Sequence, residues 1–95
     1  MANKKEVRDK MVALVFMTES GKYKSKKTGE LVTLENLVET DLFKKVKAEL
    51  AEKKISRTSV YKAIESKGFW VMNKEEFEPH LKRMHEFCYT HLDKN

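Results

Sequence analysis

The sequence has little of what turns and cross-links require. Its 95 residues hold one proline, three glycines and one cysteine. So few turn residues argue against an all-β chain with many tight connections and favour helices. A lone Cys88 cannot close an intramolecular disulfide, which points to a reducing, cytoplasmic setting. Long apolar runs are missing as well. The longest, Met11–Met17, is far too short to span a bilayer. It follows Lys4, Lys5, Arg8 and Lys10, as the core of a signal peptide would. However, Thr18-Glu19-Ser20-Gly21 after it offers no small-x-small cleavage site, so neither secretion nor membrane insertion is expected. There is no glycine-rich phosphate loop and no nucleophile spaced with a base, so the chain reads as a non-enzyme without a cofactor.

What is present is charge. Charged residues make up 37% and hydrophobic residues 40%. The charged share exceeds the usual one of about 25%, yet enough Leu, Val, Phe and Met remain for a core. A chain of this size is one domain. The net charge is +5 and the pI about 9.3. That balance favours an anionic partner, and nucleic acid is the commonest.

Periodicity divides the chain into helices. Residues 3–19 form the first, with Asn3 as cap and Gly21 as stop. At about 100° per residue Val7, Met11, Leu14 and Thr18 share a face. Val12, Phe16 and Met17 spread apolar surface around the other sides. Such a helix is central to the core, or is covered by a second copy of the chain. A homodimer through 3–19, or through the last helix 74–92, is therefore an expectation.

From Lys22 to Thr33 two short alternating arms flank Lys26-Lys27-Thr28-Gly29, as in a small β-hairpin over 22–33. Lys22, Lys24, Lys26 and Lys27 stand there with no acid between them. Next, Leu34, Leu37 and Val38 cluster on one helical face, whereas Phe43, Val46 and Leu50 lie more than about 90° away. A continuous helix would leave one cluster exposed. A break at Glu39-Thr40-Asp41 lets both face one core, which predicts helices at 34–39 and 41–53. A helix at 57–67 follows, capped by Ser56 and closed by Gly68, with Val60, Ala63 and Ile64 inward. Phe69–Met72 reads as an extended segment. Asn73 and Glu76 form a capping box that opens the last helix, 74–92, with Phe77, Leu81, Met84, Cys88 and Leu92 on one face. Pro79 within it marks a kink or a later start. The predicted fold is mainly α, one compact helical domain with a pair of helices joined by a short turn at Lys54–Ser56 and a long C-terminal helix.

The run Ile55-Ser56-Arg57-Thr58-Ser59-Val60-Tyr61-Lys62, followed by Gly68, Phe69–Met72 and Asn73–Leu81, resembles helix-turn-helix and winged-helix DNA-binding regulators. Within these it somewhat resembles small excisionase- or MerR-like domains. The resemblance covers about 41–81 and is specific over Ile55–Ile64. It departs at Lys54, where a turn glycine is usual, and at Leu50, where a small residue is usual. Both departures put the length of the turn and the helix crossing in question. The resemblance implies double-stranded DNA as partner and transcription regulation as role. Arg57, Thr58, Tyr61 and Lys62 would face the major groove. Arg57 would bind guanine or phosphate, Thr58 and Tyr61 would hydrogen-bond, and Lys62 would neutralise phosphate. The basic hairpin lysines, Lys22, Lys24, Lys26 and Lys27, would lie on the backbone as a wing does.

Two other readings belong beside it. One is a protein-binding module, an inhibitor or adaptor, docking through Phe69, Trp70 and Met72 or through the acids Glu30, Glu35, Glu39 and Asp41. The other is zinc, invited by His80, His85, Cys88 and His91. On one helix His80 and His91 stand about 16 Å apart, so no tetrahedral set converges and no metal is expected.

Overall fold

In the structure of the chain, a computed structural model, residues 3–67 and 72–92 are described. They form five helices: α1 (Lys4–Glu19), α2 (Leu34–Leu37), α3 (Asp41–Glu52), α4 (Arg57–Lys67) and α5 (Lys74–Leu92). Asn3 and Asn73 act as the caps expected from sequence, and Thr33 caps α2. Asn3 Oδ1 accepts from the Glu6 amide at 2.9 Å, Thr33 Oγ1 from Asn36 at 3.3 Å, and Asn73 Oδ1 from Glu76 at 2.8 Å. Each satisfies an amide that the first turn of a helix leaves unpaired.

One side chain holds the break between α2 and α3. Thr40 Oγ1 donates to the Leu37 carbonyl at 2.7 Å and accepts from the Phe43 amide at 3.2 Å. It thus closes the end of one helix and opens the next. The chain can turn there, and Leu34 and Leu37 join Phe43, Val46 and Leu50 in one buried cluster. α2 stops at Leu37, two residues short of the predicted end.

α1 is the central element, packed against α3, α4, α5 and α2. Val7, Met11, Val12, Leu14, Val15 and Phe16 are all buried in the core. Its all-round apolar character is therefore mostly absorbed within the chain, with Met17 and the small Ala13 left exposed. α3 packs chiefly on α1, and α4 packs about equally on α1 and α5. From α5, Phe77, Met84, Cys88 and Leu92 reach this core, joined by Phe87. Leu81 is only partly buried. Phe77 lies 5.6 Å from Phe16 and Phe87 5.6 Å from Phe43, ring centre to ring centre, in tilted and edge-on pairs. Such pairs add to the roughly 1.5–3 kcal/mol that burying each large apolar side chain contributes. The helix runs through Pro79. The carbonyl that this proline leaves without a donor belongs to Glu75, an exposed residue where solvent can satisfy it.

The predicted hairpin is reduced to a loop with one antiparallel bridge, Lys24 with Leu31. Ser25 N–H donates to Glu30 at 2.9 Å and Val32 N–H to Tyr23 at 2.8 Å. Gly29 closes the tip at φ 74°. No sheet forms among the described residues. The extended segment expected at 69–72 lies outside them except for Met72, which is partly buried against the core. No helix among the described residues is long and apolar enough to cross a membrane.

Candidate nucleic-acid interface

The turn between α3 and α4 sets the direction of α4. Lys53 is the C-cap of α3, and Lys54 takes φ 57°, the left-handed conformation. The Lys54 amide donates to Ala51 at 3.1 Å and the Ile55 amide to Leu50 at 3.5 Å. This pair of bonds is the Schellman closure, whose left-handed residue is usually glycine. Gly21 fills the equivalent position after α1, with Gly21 donating to Thr18 at 3.2 Å and Lys22 to Met17 at 3.0 Å. Lys54 therefore adopts the conformation that Gly21 takes, and the two helices close in the same way. Ile55 packs partly against the core that contains Leu50, the apolar contact that accompanies such a closure. Ser56 Oγ then accepts from the Ser59 amide at 3.2 Å and caps α4. Val60, Ala63 and Ile64 anchor the helix inward.

The four residues expected to face a groove divide into two pairs. Thr58 and Lys62 are exposed. Arg57 and Tyr61 are half-buried and turn toward α5. The Arg57 guanidinium lies over the Tyr89 ring, 5.1 Å from its centre. The Tyr61 ring lies 5.0 Å from that of His85, and its hydroxyl is buried without a hydrogen-bond partner. Burial, and then the neighbouring Cys88, raises the Tyr61 pKa, against the opposing influence of Arg57.

A basic groove opens at the start of α4. Lys4, Lys5 and Arg8 of α1 meet Lys54, Ile55, Ser56 and Ser59 around a volume of about 400 Å³. Four of these seven lining residues are cations and none is an acid. The N-termini of α1 and α4 both lie at this groove, and each adds the partial positive charge of a helix start. On the same helix the nearest acid is Glu6, exposed in the first turn, and Asp9 pairs with one of the groove's own cations. Asp9 binds Lys67 Nζ at 2.8 Å and Arg8 Nη2 at 3.3 Å. Its own burial works to raise its pKa, but the hydrogen bonds from Lys67 and Arg8 outweigh that and leave it lowered.

The sequence reading missed Lys4, Lys5 and Arg8 as part of this site. Lys4 and Arg8 stand at i, i+4, so their shared face was visible. That this face meets the start of α4 follows only from the packing.

Lys22, Lys24, Lys26 and Lys27 are all exposed, but they lie past the opposite end of α1. Sixteen helical residues separate them from the basic groove by about 24 Å. They and the α4 start form two separate basic regions. Of the acids, Glu35 approaches Arg83 at 4.0 Å, while Glu30, Glu39 and Asp41 are exposed. Phe69 and Trp70 lie outside the described residues.

The histidines have partners of other kinds. His80 Nδ1 lies 3.3 Å from Glu19 Oε1, which also accepts from Arg83 Nε at 3.0 Å. His85 approaches Glu65 at 3.6 Å, and the His91 ring lies 4.7 Å from that of Phe87, tilted against it. Cys88 is fully buried, and burial pushes its thiol up to about 12. Among the described residues no three His, Cys, Asp or Glu side chains are grouped to hold a metal ion.

Compared with family models, curated proteins and solved structures, the chain matches none of them.

Proposed function

We propose that the chain is a small duplex-DNA-binding regulatory protein whose contact surface is the start of α4 together with the basic N-terminal turns of α1. The observation that carries this reading is the acid-free groove of Lys4, Lys5, Arg8 and Lys54 around the start of α4. Phosphate oxygens suit that groove, because four cations and two helix starts converge there. Exposed Thr58 and Lys62 extend the surface along α4. Arg57, placed at the α4–α5 edge by Tyr89, borders it. The hairpin lysines are too far off to share one contact with this groove. A single buried Cys88 suits a reducing compartment such as the cytoplasm.

The test is titration of a labelled duplex across a salt series. Each phosphate neutralised contributes about −0.9 to the slope of log K against log salt. Replacing Lys4, Lys5, Arg8 and Lys54 together by alanine should make the slope shallower by roughly 3 to 4 while leaving the helical circular dichroism unchanged. Absence of duplex binding by the wild-type protein at low salt would end the proposal.

A further inference from the structure

At the other end of the molecule an open groove of about 550 Å³ runs between the hairpin loop and the α2–α3 junction. Lys26 and Lys27 form one wall, Glu39 and Asp41 the other, and Tyr23, Val32 and Leu42 supply apolar surface between them. Leu42 is 48% exposed, one of few large apolar side chains left so open. All four charged residues are exposed. Among the described residues none of the four enters an ion pair, although surface ion pairs form elsewhere on the chain.

We infer that this groove is a self-association surface, and that its occupant is a second copy of the same groove. A two-fold contact places the same patch on both partners, so the patch must complement itself. A surface of one sign cannot do so. This one can, because rotation by 180° brings the basic wall of each copy onto the acidic wall of the other. Leu42 and Tyr23 then meet their counterparts at the centre, where water is displaced. The apolar centre supplies most of the affinity, since exposed ion pairs contribute only about 0–1 kcal/mol each. The charges fix the register and exclude other orientations. The apolar faces of α1 and α5, expected from sequence to join two copies, are largely occupied by the core. Lys26 and Lys27 thereby acquire a protein partner in place of a phosphate backbone.

The experiment is sedimentation equilibrium of the full chain and of two charge variants, each checked for helical content. Lys26→Glu with Lys27→Glu makes both walls acidic, and Glu39→Lys with Asp41→Lys makes both basic. The wild type should associate to twice its 11.2 kDa, and Leu42→Asp should abolish this. Each charge variant alone should be monomeric, and an equimolar mixture should restore the dimer. A wild type that stays monomeric up to its solubility limit overturns the inference. So does a dimer that survives in both charge variants, or a mixture that fails to reassemble. None of these readings involves DNA, so the result stands apart from the proposed function.

Discussion

Arg57, the first residue of α4, holds its guanidinium 5.1 Å from the ring centre of Tyr89 on α5. The contact joins the start of α4 to a helix that begins more than a dozen residues later in the chain, and it fixes where a long, otherwise adaptable side chain points. At a partly exposed site an interaction of this kind contributes roughly 0.5–1 kcal/mol. A double-mutant cycle of Arg57→Ala and Tyr89→Ala, followed by urea unfolding, should return a coupling of that size. Tyr89→Phe keeps the ring and should keep the coupling. If the two alanine substitutions simply add, the guanidinium is held by other groups.

Lys54 carries a left-handed backbone at φ 57°, which costs an L-residue roughly 1–2 kcal/mol. Lys54→Gly removes that cost but enlarges the freedom of the unfolded chain. The net expectation is a gain of about 0.5–1 kcal/mol, read as a higher urea midpoint. Lys54→Val, branched at Cβ, should move the midpoint the other way. The glycine variant should also bind duplex DNA with a salt slope shallower by about 0.9, since one cation leaves the groove.

The pH response at the acid end should come in part from Asp9. Its folded pKa lies below the ordinary value of 3.8: burial raises it, but Lys67 and Arg8 overcome that effect. A carboxylate lowered on folding contributes stability that is complete above the unfolded pKa and disappears as pH falls through the folded one. Asp9→Asn should therefore cost stability at neutral pH and little or none once the solution is acidic enough to protonate Asp9 in both states. For a pair this close to the surface the neutral-pH loss should be within about 1 kcal/mol. Equal losses at both pH values would assign Asp9 a packing role instead.

Cys88 defines the alkaline end. Its thiol is raised from 9.0 to about 12 by burial. A group raised on folding contributes stability that is complete below its unfolded pKa and is lost as pH rises toward the folded one. Stability should thus fall between about 9 and 12, and Cys88→Ala should flatten that part of the profile. At pH 8 a thiol reagent should label Cys88 only at the rate of opening, and immediately in denaturant. Rapid labelling of the native protein would contradict the burial.

Much of the fold was legible because the deciding signals were local. The change of phase between Leu34–Val38 and Phe43–Leu50 required a break, and Thr40 supplied the side chain that makes it. Asn3, Ser56 and Asn73 were readable as caps for the same reason. What escaped was set by which element covers which face. The periodicity of α4 gives Val60 and Ile64 as its inner stripe but cannot tell that α5 lies against Tyr61 and Arg57. Lys54 was read as a departure because sequence indicates preference for a conformation, not the conformation itself. Lys4, Lys5 and Arg8 became part of a site only when α1 crossed α4 near its start. The hairpin lysines, equally conspicuous in the sequence, were carried to the far end by the length of the same helix.

The central place of α1 also has a consequence for synthesis. It leaves the ribosome before every helix that covers it, and α5, which supplies Phe77 and Met84, arrives last. Between Glu19 and Leu92 translation takes on the order of 4–15 s at roughly 5–20 residues per second. During that interval the helix that buries the most side chains can meet α3 and α4 but lacks its last cover, so the core is completed only once α5 has emerged. The folding of this small domain is therefore timed by the appearance of its last helix.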